Sequence, residues 1–459
     1  MTKINTDEFV KRIARLAKQS KELEEYVKKL EKQNEILSAE NERLKAFSSN
    51  SEVVSENLLK FNMATVLFAD IQGFSKLVED MDSLVLMDEL DDIFREFDAI
   101  VAGHKIEKIK TIGDSYMCAG GIPIKNISNP VEVVMVAMEM RNFLDEYETN
   151  KRGTNRIWNL KIGVHTGPVT AAISGKKRLN YDIKGDTVNV VSRLKTVSGH
   201  NSIMISIMTY ELVKEFFDCE YYGKLPVKYK NDLQIFKLKG LKAEFSVNGL
   251  GIAANDAFRV NFGLIQFTDI QEIILDKLEK ELPDYLYYHN VKHTVDVVTE
   301  VELIGWAEGC TDEEILLLKT AALFHDAGHT VSYDNHEFHG TQLAREMLPA
   351  YNYTPEQIDR ICEIIMATQL PPKPANLLES IICDSDLDYL GRSDFIPVSN
   401  TLYEELKAQN KIGSLNDWNK LQVKFITGHQ YFTETARRLR EVNKRQQIER
   451  IQSLINYEL

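Results

Sequence analysis

The 459-residue chain lacks any apolar run long enough to cross a membrane, any paired-cysteine motif and any surplus of positive charge. Its densest apolar stretch, Ile315–Phe324, is about half a membrane span and carries Lys319. The opening Met1-Thr-Lys-Ile-Asn leads into charged sequence without the apolar core of a signal peptide. The five cysteines, Cys118, Cys219, Cys310, Cys362 and Cys383, form no CxxC pair, which fits reduced thiols and not a disulfide framework. A net charge of −14 argues against a broad nucleic-acid footprint and leaves any anionic ligand to local basic residues. These absences leave a cytoplasmic protein with neither membrane nor nucleic acid as partner. The length gives room for two or three domains, each with its own core.

Residues 9–47 contain no Gly or Pro and carry a heptad. Leu16, Leu23, Leu30, Leu37 and Leu44 recur every seventh residue, and Ile13, Ser20, Val27, Asn34 and Asn41 fill the alternate seam position. Leu at one core position with Asn at the other predicts a parallel two-stranded coiled coil. A single amphipathic helix is the alternative, and the sustained 3.5-residue period argues against it. The expected boundaries are 1–50 for the coiled coil and 51–62 for a linker helix, with helix over Glu52–Lys60.

From 63 to 241 strand and helix patterns alternate. Met63–Asp70 reads as a buried strand and Gly73–Ala102 as a long helix. A hairpin follows, with Ile106–Ile112 and Ser115–Ala119 joined at Gly113-Asp114. Pro130–Tyr147 reads as helix, Trp158–His165 and Val169–Ser174 as two strands, and Thr187–Val197 as helix. This order predicts an α/β sandwich, a ferredoxin-like sheet with helices on one side. Residues 242–264, with Gly249, Gly251 and Gly263, read as a linker, and 265–459 as an all-helical domain opened by caps such as Thr311-Asp-Glu-Glu314.

Three strings carry chemistry in the α/β region: Val66-Leu-Phe-Ala-Asp-Ile-Gln-Gly-Phe-Ser75, Lys110-Thr-Ile-Gly-Asp-Ser115 and Tyr181-Asp-Ile-Lys-Gly-Asp-Thr-Val-Asn-Val-Val-Ser-Arg193. In this order and spacing they resemble the catalytic core of the class III nucleotidyl cyclases. The resemblance implies that Asp70 and Asp114, with the backbone carbonyl of Ile71, hold two Mg2+ or Mn2+ ions, and that Gly73, Phe74 and Ser75 lie against the phosphates. It makes Asn189 and Arg193, four apart and hence on one helix face, the residues that orient the ribose and stabilise the transition state. Lys228 would grip the terminal phosphates. Lys110 and Asp182 stand at the base-reading positions, and this pair matches members that use ATP: Lys donates to adenine N1 and Asp accepts from the N6 amino group, whereas guanine reverses that pattern. Use of GTP remains the alternative. In the family each site draws on two protomers, so a homodimer is expected.

The helical region holds Tyr288-His-Asn-Val-Lys-His293, Leu323-Phe-His-Asp-Ala-Gly-His329, Asp334-Asn-His-Glu-Phe-His339 and the acidic cluster Asp384, Asp386 and Asp388. These strings resemble the HD superfamily of metal-dependent phosphohydrolases, nearest by motif to the cyclic-nucleotide phosphodiesterases. The resemblance implies that His293, His325, Asp326 and Asp386 hold a divalent metal, with Asp384 a substitute for Asp386. His289 would be the general acid, and His329 and His336 would stand around a second metal. The expected ligand is a cyclic nucleotide or another phosphoester. The alternative is a nucleotide- or metal-sensing domain that regulates the cyclase without hydrolysis.

Overall fold

The computed structural model describes residues 58–72, 83–150, 158–174, 180–226 and 232–455. The expected coiled coil, the phosphate segment Gly73, Phe74 and Ser75, and Lys228 lie outside the described residues.

The first described body is a mixed sheet. Its elements are β1 (Leu58–Gln72), α1 (Ser83–Ala102), β2 (Ile106–Ile112), β3 (Ser115–Gly120), α2 (Asn129–Asn150), β4 (Asn159–Ser174), β5 (Asn180–Lys184), α3 (Asp186–Val197), β6 (Ser202–Ser206), α4 (Ile207–Val213), β7 (Phe217–Leu225) and β8 (Leu233–Leu241). The strand order is β2-β3-β1-β4-β6-β8-β7, with β5 paired to β4. β4 and β6 are parallel; β3 is antiparallel to both β1 and β2.

Three sequence expectations change. The stretch expected as a linker helix up to Lys60 is strand from Leu58, an exposed extension of β1 before Phe61 enters the core. The two strands expected over 158–174 are one, because Gly167-Pro168 falls where β4 changes partners. On one edge Lys161–Val164 pair with β6 and Thr170–Ser174 with β5, so Gly167-Pro168 falls in the gap between these two ladders. Helices also cover both faces of the sheet. Side chains alternate along a strand, and Leu67, Ala69 and Ile71 join the core under α1 and α2, while Val66 and Phe68 join a second cluster that includes Val191 of α3. The unbroken apolar run of β1 is the signature of a strand buried on both faces.

α3 is held close to β4 by Gly163, where an added Cβ would lie 2.5 Å from the backbone nitrogen of Lys195. Among the described residues, no helix is long and apolar enough to cross a membrane.

The helical body comprises α5 (Asp256–Glu281), α6 (Val291–Glu308), α7 (Asp312–Phe324), α8 (His336–Met347), α9 (Pro355–Met366), α10 (Leu377–Asp386), α11 (Phe395–Ala408), α12 (Leu415–Gly428) and α13 (Glu434–Gln452). Side-chain caps open most of them, with reciprocal capping boxes at Thr311/Glu314, Thr354/Gln357 and Ser414/Asp417. The stretch 242–264 holds two 3-10 turns and the first turns of α5. α5 serves both bodies: Phe258 and Phe262 sit in the core under the sheet, and Phe267, Ile270, Ile274 and Leu278 in the helical core.

Polar groups fasten the same junction. Buried Asp269 of α5 accepts from the backbone N–H groups of Ile127 (2.6 Å) and Ser128 (3.2 Å), just before α2. Gln266 donates to Glu132 of α2 at 2.9 Å. Lys105 stands over the Tyr351 ring of the helical body, and burial, partly offset by Glu132 and Asp269, lowers its pKa to about 8.

Asp269→Ala leaves two backbone N–H groups, that of Ser128 buried, without their acceptors and is expected to cost about 1–3 kcal/mol, seen as a lower urea midpoint. Asp269→Asn should cost less. A midpoint unchanged by Asp269→Ala would show that the clasp does not hold the junction. A second test concerns His429. Burial, then Lys444, lowers its pKa to about 4, with Glu441 opposing. The unfolded ring protonates near 6.5, so between about 4 and 6.5 the unfolded state binds more protons and stability falls with falling pH. His429→Gln should lessen that acid loss by up to about 3 kcal/mol, as measured by urea unfolding from neutral pH to the acid limb.

Candidate active sites

In the α/β body, pairing of β1 with β3 sets Asp70 opposite Ser115, next to Asp114 in the hairpin turn. The turn needs Gly113, whose φ is +60°. Ile71 donates its N–H to the Asp114 carbonyl at 3.0 Å, which locks the strand end to the turn. Ser115 Oγ donates to Asp70 Oδ1 at 2.5 Å, and Lys195 Nζ of α3 donates to the same oxygen at 2.9 Å. Hard carboxylate oxygens gathered here, one of them already facing a cation, suit Mg2+ or Mn2+.

Asn189 and Arg193 are exposed on α3, and Arg193 Nη1 donates to the Pro226 carbonyl at 3.0 Å. Lys110 on β2 and Asp182 on β5, 72 residues apart, form an ion pair at 2.5 Å. The structure thus brings Lys110 to Asp182, and Asp70 to Asp114, within one chain.

In the helical body, His293 comes from the first turn of α6, His325 and Asp326 from the end of α7, and Asp386 from the end of α10. His293 Nε2 lies 3.1 Å from Asp386 Oδ1 and 3.3 Å from Asp326 Oδ2; His325 Nε2 lies 3.2 Å from Asp326 Oδ2 and 3.6 Å from Asp386 Oδ1. The two ring nitrogens are 3.4 Å apart. Two imidazoles and two carboxylates aimed at one buried point fit a divalent ion. Burial opposes charge on both rings, but the two carboxylates outweigh it and raise the pKa of His293 and His325. Burial likewise works against ionised Asp326 and Asp386, and the histidines outweigh it, so both carboxyls stay well below their usual range.

A second group, His289, Asp326 and His329, adjoins the first and shares Asp326. His336 Nε2 stands 3.4 Å from Asp326 Oδ1 and its ring stacks on His329 at 3.9 Å. Gly328 permits this: a Cβ there would lie 1.9 Å from the His336 carbonyl oxygen. Burial lowers the His329 pKa to about 3, and its buried ring nitrogens have no hydrogen-bond partner among the described residues.

Asp384 is no substitute for Asp386. Its carboxylate accepts from the N–H groups of Phe432 and Thr433 and from the Thr433 hydroxyl, at 2.7 to 2.9 Å, and so caps the approach to α13. Asp388 pairs instead with Arg440 at 2.5 Å.

Sequence reasoning missed Glu405, which is fully buried on α11. It faces His289 Nδ1 at 2.5 Å and accepts from the N–H groups of Tyr288 and His289 at 2.9 and 3.1 Å. It also missed the cavity wall. Beside this cluster of histidines and carboxylates lies a cavity of about 560 Å³, lined by His289, His336 and Asp386 and by Phe395, Trp418, Gln422 and Phe425. Trp418, Gln422 and Ile426 recur every fourth residue on α12, the one sequence signal of this wall. Trp418 Nε1 donates to Ser399 Oγ at 3.2 Å, and Gln422 donates to the same hydroxyl. Gln369 lines the cavity, while His429 packs against Tyr431.

Comparison with known proteins agrees with this division. Residues 57–240 match the adenylate and guanylate cyclase catalytic domain, and residues 290–390 match the HD domain. A receptor-type guanylate cyclase of Caenorhabditis elegans is 35% identical over 190 residues, 40% of this chain and 16% of that protein. An adenylate cyclase of Mycobacterium tuberculosis is 35% identical over 183 residues, 40% of this chain and 41% of that protein. The chain therefore spans less than half the length of either relative. Among solved structures, the adenylyl cyclase CyaB from P. aeruginosa is 28% identical, with a TM-score of 0.38, covering 42% of this chain and 100% of that one. Relatives of both nucleotide classes match equally well, so the shared statement is the catalytic domain itself: this chain carries a nucleotidyl cyclase catalytic domain of the adenylate and guanylate cyclase family, followed by an HD domain.

Proposed function

We propose that the protein is a homodimeric adenylate cyclase that forms cAMP and pyrophosphate from ATP, and that its helical domain hydrolyses a cyclic nucleotide. The observation that carries the cyclase reading is the Lys110–Asp182 pair, one donor and one acceptor side by side at 2.5 Å. Adenine offers the matching acceptor and donor at N1 and N6.

When bound, two divalent cations would acidify the ribose 3′-hydroxyl and neutralise charge on the phosphates. Asp70, Asp114 and the Ile71 carbonyl would hold them. Asn189 orients the ribose and Arg193 faces the charge that develops at the α-phosphate. Both are exposed on α3, which supports a site completed by a second copy of the chain. The coiled-coil pattern of residues 9–47 supplies a parallel pairing for that dimer.

In the helical domain, a divalent ion held by His293, His325, Asp326 and Asp386 would supply Lewis acidity toward a phosphodiester. Glu405 takes the Nδ1 side of His289, leaving Nε2 toward the cavity to pass a proton to a departing oxygen. The aromatic and amide wall of Phe395, Trp418, Gln422 and Phe425 suits a purine. One observation favours the second reading, in which this domain senses nucleotide and sets cyclase activity: α5 and Asp269 tie its core to the cyclase core.

Incubation of the full chain with ATP or GTP plus Mn2+ should yield cAMP in preference to cGMP. Mixing Asp114→Ala with Arg193→Ala chains, each inactive, should restore one working site per dimer and about a quarter to a half of wild-type turnover. A mixture as inactive as its parents would refute the shared site. For the helical domain, Asp326→Asn should abolish bound metal, measured by elemental analysis, together with cyclic-nucleotide hydrolysis. Glu405→Gln should keep the metal and lower hydrolytic kcat about 10–100-fold. Nucleotide binding without turnover in the metal-loaded wild type would select the sensor reading instead.

A further inference from the structure

We infer that Lys195 is a resident counter-cation of the cyclase metal site, which holds Asp70 in the metal-free protein and must give way for a divalent ion to bind. The inference rests on the reading of Asp70 as a metal ligand.

The geometry begins with α3. Asn189 and Arg193 share one face of this helix, and Lys195, two residues beyond Arg193, lies about 200° around it. One face is thus left for a partner copy, and the other meets the same chain's sheet. Gly163 lets the helix backbone at Lys195 press onto β4, the neighbour of β1. From there the side chain reaches the end of β1, where Nζ lies 2.9 Å from Asp70 Oδ1 and 3.2 Å from Ser115 Oγ. Both partners are largely shielded, with Lys195 18% and Asp70 20% exposed.

Asp70 Oδ1 already accepts two donors, the ammonium and the Ser115 hydroxyl. A carboxylate oxygen has about two lone-pair sites, so a metal–oxygen bond at Oδ1 requires one donor to leave, and an ion held through Oδ2 of the same carboxylate still repels the nearby ammonium. Ser115 is neutral and fixed by its own strand. Lys195 is a positive charge on a flexible stem, and a divalent ion at Oδ1 repels it directly. The ammonium is therefore the donor that leaves. Nucleotide that enters with the metal brings negative charge that offsets the released cation. Metal without nucleotide meets the full competition.

The test is a titration of the full-length protein with Mn2+ in the absence of nucleotide, following free Mn2+ by electron paramagnetic resonance. All variants carry Asp326→Asn, and the cyclase-site component is defined as the binding lost on adding Asp70→Asn. Lys195→Met should tighten that component about tenfold, and Lys195→Gln, which keeps the length without the charge, should tighten it similarly. Lys195→Arg should bind Mn2+ as the parent does. Circular dichroism identifies any variant that fails to fold, and either neutral variant alone decides the question. Unchanged or weaker Mn2+ binding in the neutral variants would overturn the inference while leaving Asp70 as a ligand. Absence of any Asp70-dependent Mn2+ binding in the parent would overturn both.

Discussion

α5 contributes Phe258 and Phe262 to the core beneath the sheet and, further along, Phe267, Ile270, Ile274 and Leu278 to the helical core. Apolar burial of this kind is the main favourable term in folding, and here a single rigid element collects it from two directions. Rotation of α5 to suit one core disturbs the other. Asp269 adds direction, because its two oxygens accept from consecutive backbone N–H groups ahead of α2 and so fix the helix in register against the sheet. The two bodies are coupled through packing, not through a flexible tether.

The two sites manage charge differently. In the helical body, Asp326 gathers three histidines in a buried place, and the unfavourable burial of each charge is offset only by its neighbours. A site so arranged is preorganised for a cation. In the sheet body, Asp114, Asn189 and Arg193 stand at a surface, and only Asp70 has a shielded positive neighbour. That surface offers binding groups without a complete enclosure, which is the condition under which a second protomer adds most.

How much was legible in the sequence follows from the distance over which each feature is encoded. The hairpin with Asp114 at its turn is local, since Gly113-Asp114 lies between the β-branched run Ile106–Ile112 and the extended run Ser115–Ala119. His325-Asp326 and His289 to His293 are likewise set by spacing along one or two helical turns. Glu405 could not be read, because its partner His289 lies 116 residues away and no local pattern marks a buried Glu on α11. Lys195 looks like any charge at the end of an amphipathic helix; its meaning arises only when Gly163 brings the helix onto β4. The single strand β4 was read as two because Gly-Pro is a turn signal locally, and a change of partner strand overrides it. Helices on both faces were implied by the unbroken apolar run of β1, a pattern that outweighs the expectation of a half-exposed sheet.

The Lys110–Asp182 pair has one more consequence. Each member is about 40–45% exposed, so the pair is open to screening by dissolved ions. A purine that enters between them has to separate a donor and an acceptor that already satisfy each other. On the proposed reading, added salt loosens that resident attachment and eases entry of the base, while at the other end of the nucleotide it weakens the hold of Arg193 and the cation site on the phosphates. Ionic strength thus pulls the two ends of one ligand in opposite directions.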